Sequence, residues 1–148
     1  SRRLEGDYTL RQEDCYRHFE DSITAVNDFE HRDFLWEVPY RTLVRTGYDN
    51  LITAGRTAAG ADYAWDVLRV IPPAIVTGLA AAQALETGRA IHDVDVPRLQ
   101  KELEKQNVLL HFEDSWLPAP EKRPDIRTIT KLDEKGGRPY DAAKSHDE

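Results

Sequence analysis

Residues 36–85 read WEVPYRTLVRTGYDNLITAGRTAAGADYAWDVLRVIPPAIVTGLAAAQAL. An aromatic and β-branched run over residues 35–44 predicts a strand, with Pro39 marking an edge or a bulge. Thr46-Gly47-Tyr48-Asp49-Asn50 is turn chemistry. Residues 51–54 predict a short buried strand that ends at Gly55-Arg56. A small, Gly-containing loop (residues 56–61) and a helical turn or two (residues 62–68) lead to Pro72-Pro73, which are tolerated only at or before a helix start. The run from Pro73 to Leu85 is apolar nearly all round, so it predicts a buried helix. Its Gly78 and alanines keep it thin enough for a neighbouring backbone or a flat ligand to approach. Gly88 is the expected stop. A glycine-tipped strand beside a helix start suits the border of a ligand. Gly55 lets backbone come close, and the helix start offers unpaired N–H groups and the positive end of a dipole.

Working outward, residues 1–8 alternate like an edge strand. Thr9-Leu10-Arg11-Gln12 has the spacing of a capping box opening a short helix through about Arg17. Residues 19–25 suit another strand and residues 27–32 a polar loop. Downstream, Asp95 as N-cap and Pro97 in the first turn open a last helix, with Val96, Leu99 and Leu103 on one face. From Pro118 the chain is charged and punctuated by Pro118, Pro120, Pro124, Gly136, Gly137 and Pro139, the composition of a tail. No internal repeat is visible.

At 148 residues the chain is long enough for one domain with a real core. A net charge of −7 argues against a nucleic-acid groove or an anionic membrane surface. A phosphate contact would therefore rest on local backbone or single arginines. Cys15 is alone, so it makes no internal disulfide and reads as a small buried residue. It fits a reducing compartment, and a cytoplasmic location is the expectation. No segment is apolar over the ~18 residues a membrane span needs, and the N-terminus lacks a signal-peptide core. His18, His31, His92, His111 and His146 are scattered without a ligand spacing, so no metal site is expected. Neither a P-loop nor a G-x-S-x-G is present.

Several segments, in order, resemble the C-terminal portion of FAD-dependent oxidoreductases of the glutathione-reductase type. They are Ser1-Arg2-Arg3-Leu4-Glu5-Gly6-Asp7-Tyr8, Phe19-Glu20-Asp21-Ser22-Ile23, Val38-Pro39-Tyr40-Arg41, Asp49-Asn50-Leu51-Ile52-Thr53-Ala54-Gly55-Arg56, Arg69-Val70-Ile71-Pro72 and Gly78-Leu79-Ala80-Ala81. The match runs over about residues 1–112. No one segment is specific; the ordered set carries the resemblance. Asp62-Tyr63 stands where the family commonly has His-Glu, which removes an imidazole and leaves the catalytic residue unknown. Leu79 and Ala82 depart from a GQAAG-like run.

The resemblance implies an α+β fold of short strands with a buried Ala-rich helix and a C-terminal surface helix, one piece of a two-dinucleotide-domain flavoprotein. Residues 1–117 would form that piece: substrate-domain strands over 1–45, an FAD-edge strand, turn and helix over 46–88, and a surface helix over 95–107. Residues 118–148 would be the tail. The implied cofactor-binding residues are Ala54, Gly55, Arg56, Arg69, Pro72, Pro73, Ala74 and Ile75. The turn would lie beside the ribityl-pyrophosphate, and the helix start would face the pyrimidine edge of the flavin. Arg56 otherwise reads as a surface arginine, and Arg69 as an ion pair with Asp66 or Asp62. Arg2, Arg3 and Arg41 face either an anionic substrate or salt-bridge partners.

The family's GxGxxG fingerprint is missing, as is any methionine. Both fit a C-terminal fragment whose N-terminal FAD-binding domain is its main partner, inactive alone and binding FAD weakly or not at all. Apolar faces left open by that domain would favour a homo-oligomer. The alternative is a non-catalytic α+β interaction module, docking a partner or a second copy through its acidic surface and charged tail.

Overall fold

The hairpin that organises the molecule is made from a β-branched stretch, Ser22-Ile23-Thr24-Ala25-Val26-Asn27, and a shorter one carrying Trp36 and Val38. In the computed structural model, β1 (Ser22–Asn27) and β2 (Leu35–Pro39) pair antiparallel, with Ala25 opposite Glu37 and Val26 opposite Trp36. The register slips between Ser22 and Thr24, opposite Val38 and Pro39. That bulge is where a proline that cannot donate to the ladder is expected to sit. The structure describes residues 3–28 and 33–123, with the side chains of residues 71–73 set aside. Arg2, His31, His146 and the tail beyond residue 123 lie outside the described residues. The chain divides into two units, Ser1–Leu117 and Pro118–Glu148. In the second, a single 3-10 turn, Pro120–Lys122, is described.

Among its described residues the first unit is small α+β: one two-stranded sheet and three α-helices, α1 (Ala64–Leu68), α2 (Ile71–Thr87) and α3 (Val96–Lys105). Beyond the sheet, much of the chain is held by single backbone hydrogen bonds. The Ala25 N–H donates to the Leu109 carbonyl, so the segment after α3 runs beside β1. Leu4 and Leu10 donate to Thr57 and Ala59 in the same way. The core closes around Leu10, Ile23, Phe34, Trp36, Tyr40, Leu43, Leu68, Leu99 and Leu103, all essentially inaccessible.

Three expected strands are reduced. Residues 3–8 form no strand; they are tied by Asp7 and Tyr8 N–H groups to Val44 and Arg41 carbonyls, and only Leu10 bridges, to Gly60. The run over residues 34–44 stops pairing at Pro39 and coils into a 3-10 turn, Tyr40–Thr42. Residues 51–54 are half-buried and contribute one bridge, Val44 to Ile52. The helix placed after Thr9 is a 3-10 turn, Gln12–Asp14, because the Asp14 carboxylate takes the Arg11 N–H at 2.9 Å and caps two residues later than Thr9 would.

α2 begins at Ile71 and runs to Thr87, ending on Gly88 in the left-handed conformation as expected (φ 65°). It is buried on one side only. Val76, Ala80, Gln83 and Ala84 face the core, while Ile75 is 60% exposed and Leu85 85% exposed. The expectation of a helix buried all round is therefore corrected: one small α+β layer covers a single face of so apolar a helix. Nothing approaches within 4 Å of a Cβ built on Gly78. α3 follows its pattern. Asp95 accepts the Arg98 N–H at 3.0 Å, and Leu99 and Leu103 are buried. Gln83 donates to the Asp95 carbonyl and Arg98 pairs with Glu86, which ties α3 to α2.

Candidate functional site

The glycine turn and the start of α2 are neighbours. Gly55 opens a 3-10 turn (Gly55–Thr57) with φ 59°, the left-handed region where a side chain is strained. The nearest atom to a Cβ built there is the Arg69 carbonyl oxygen, 4.0 Å away. The outer side of the turn is thus open to another backbone or a ligand. The turn is held by the Thr57 hydroxyl on the Ala54 carbonyl (3.0 Å) and by the Trp65 indole N–H on the Arg56 carbonyl (3.0 Å). Ala54 and Gly55 are half-buried and Arg56 is exposed. The Arg56 guanidinium has no ion-pair partner among the described residues.

Arg69 takes the ion-pair alternative: its Nε lies 3.0 Å from Asp66 Oδ1 across one turn. The helix start differs from expectation in its hydrogen-bonding capacity. With Val70 as N-cap and Ile71 first, Pro72 and Pro73 take two of the four positions whose N–H groups would be unpaired. Val70 and Ile71 supply the donors that remain. Ala74 is half-buried and Ile75 points largely to solvent. A shallow groove on the same helix lies elsewhere, between α2 and α3, lined by Leu79, Ala82, Gln83, Arg98, Leu99 and Glu102. None of the eight expected cofactor residues lines it. Arg41 is engaged with Asp21 through two contacts (2.9 and 3.0 Å) and stacks over Tyr8, while Arg3 donates to the Gly60 carbonyl.

A second cluster has no spacing pattern that could have revealed it. Glu37, in the middle of β2, is fully buried. Its Oε2 accepts the Phe19 N–H at 2.7 Å. His18 Nδ1 lies 2.6 Å from Oε1, and His111 Nδ1 lies 3.0 Å from Oε2. The other His18 nitrogen, Nε2, faces Asp114 Oδ1 at 3.0 Å. Hydrogen bonds to Asp114 and then Glu37 raise the His18 pKa above its ordinary value. His18 also stacks on Phe112, ring centres 4.4 Å apart. Both imidazoles reach solvent. A lone glutamate in an alternating strand reads as outward-facing, and its partners lie 19 and 74 residues away. Only the run of residues 109–112 along β1 brings them together.

Comparison with known proteins agrees with the resemblance at the level of family. The model of the FAD dependent oxidoreductase family matches residues 1–103. This chain belongs to that family. No curated protein and no solved structure matches it. Among the described residues no helix is long and apolar enough to cross a membrane.

The residues present fit the edge of an FAD site. Gly55 keeps one side of its turn bare, Arg56 has no ion-pair partner among the described residues, and the segment entering α2 lies beside the turn. The two prolines make that end a weaker donor than most.

Proposed function

We propose that this chain is the C-terminal part of a glutathione-reductase-type FAD-dependent oxidoreductase, bordering the flavin and substrate pocket and inactive alone. The observation that carries the reading is the proximity of the open, left-handed Gly55 turn to the Arg69 carbonyl, 4.0 Å from a Cβ built on the glycine, at the approach to α2. The family match over residues 1–103 supports the same reading.

When bound, FAD supplies the hydride and electron chemistry. Gly55 leaves the backbone approachable, and Arg56 offers a forked set of N–H donors to a phosphate oxygen. The α2 N-terminus favours negative charge next to it by roughly 0.3–2 kcal/mol. That favour comes from the aligned peptide dipoles and the Val70 and Ile71 N–H groups, since Pro72 and Pro73 have none. Arg69, tied to Asp66, holds the approach to the helix in place rather than offering its charge. The open face of α2, with Ile75 and Leu85, is where the N-terminal FAD-binding domain would dock.

The test is a fluorescence titration of FAD against two proteins: the 148-residue chain, and the same chain continuous with the coding sequence upstream. The reading predicts negligible binding to the first and one FAD per chain in the second, with a GxGxxG strand-turn-helix in the added region. Tight stoichiometric binding by the 148 residues alone overturns it.

A further inference from the structure

We propose that His18 Nδ1, His111 Nδ1 and the Glu37 carboxylate form a site for one divalent transition-metal ion of the zinc class. The ligand atoms all lie within 4.8 Å of one another. Four features point to an ion rather than to an ordinary salt-bridge cluster.

The donor set is the first. Two imidazole nitrogens and one carboxylate oxygen suit zinc and its neighbours, not magnesium or calcium, which take oxygen. The second is burial. Glu37 is fully buried while both histidines are half-exposed, so a fixed carboxylate floor lies beneath two rings that an ion can reach from solvent. The third is outer support. A metal-bound imidazole usually donates its other N–H to a carboxylate, and His18 Nε2 faces Asp114 at 3.0 Å in that manner. The Glu37 carboxylate is likewise fixed by the Phe19 N–H. The fourth is the distance that must change. Tetrahedral ligands at about 2.0–2.1 Å from zinc sit roughly 3.3 Å apart. The two contacts run to different Glu37 oxygens, so the 2.6 Å pair opens by about 0.7 Å while the widest ligand pair, within 4.8 Å, closes by up to about 1.5 Å, a shift within reach of rings at the surface. On binding, each ligating Nδ1 gives up its proton to solvent and presents its lone pair. Three protein ligands leave a fourth position for water.

The proposal does not depend on the flavin reading. Its ligands come from the segment before β1, from β2 and from the segment after α3, and its test needs no FAD. The 148-residue chain, stripped with a chelator and free of any affinity tag, is titrated with Zn(II) by calorimetry and with Co(II) by visible absorption. One ion per chain is expected, with the intense visible bands of four-coordinate Co(II), undisturbed by excess Mg(II). His111→Ala is expected to weaken binding at least ~100-fold, as loss of a ligand does, and Asp114→Asn by about 10–100-fold through its support of His18. His92→Ala leaves affinity unchanged. Glu37→Gln, whose fold is checked by circular dichroism, abolishes the Co(II) bands. If Glu37→Gln does not fold, His18→Ala replaces it, with the same expected loss. The proposal is overturned if the wild type binds no Zn(II) at ~100 µM, or if the His111→Ala and Asp114→Asn variants bind as the wild type does.

Discussion

Gly55 holds its turn at φ 59° with space for a methyl group, so the penalty for a side chain there is conformational. Gly55→Ala is expected to lower stability by about 1 kcal/mol in a urea titration. Cys15 is the opposite kind of residue, chemically silent. Burial raises its thiol pKa to about 12, and the thiol donates to the Leu35 carbonyl. At pH 8 a disulfide reagent should leave Cys15 intact in the native protein and consume one equivalent in guanidinium. Asp7 gives a pH signature. Burial acts to raise its pKa, but the Thr46 hydroxyl and amide, at 2.6 and 2.9 Å, outweigh it and leave the carboxyl below its ordinary value. The unfolded chain therefore takes up this proton first, and the stabilisation present at neutral pH is lost as pH falls through the folded pKa. Asp7→Asn should melt below the wild type at pH 7, with the gap closing under acid. Gly55 and Cys15 were legible in the sequence because each follows from its own residue type. Glu37 was not: its buried place is set by chain that returns after α3.

α3 was the most legible element because every local signal agreed. Asp95 caps, Pro97 sits in the first turn, and Leu99 and Leu103 fall on one face. Asp95→Ala is expected to cost about 1 kcal/mol and Leu103→Ala about 2–5 kcal/mol, both read by thermal melts. α2 shows where local reading fails. Its composition says buried all round, yet Leu85 is 85% exposed. Apolar character tells how much burial a helix wants, not how much neighbouring chain is present to supply it. Leu85→Ser should accordingly shift stability by no more than about 0.5 kcal/mol. The strands expected over residues 1–8 and 51–54 fail for a related reason. Their alternation is real, but the chain places them beside turns, where residues 3–8 make isolated backbone hydrogen bonds and residues 51–54 one bridge instead of a ladder.

At the scale of the whole molecule, the class was legible from ordered segments spread over the first 103 residues, none of them specific alone. The α2 face with Ile75 and Leu85 is apolar and open to solvent in an acidic protein, and exposed apolar patches favour association. We propose that it meets the FAD-binding domain in the longer protein and a second copy when residues 1–148 are alone. Light scattering at high concentration should then give a dimer or larger, and Ile75→Ser with Leu85→Ser should return it to monomer.

The central claim is that the Gly55 turn borders the cofactor. It is tested most directly in the full-length flavoprotein by comparing FAD affinity in Gly55→Val and Arg56→Ala with a control at an exposed α3 position, Lys101→Ala. A loss of at least ~10-fold in the first two, with the control bound as in the wild type, is the predicted result, since close backbone approach and one charge-assisted contact are removed. Unchanged affinity in both turn variants would contradict it.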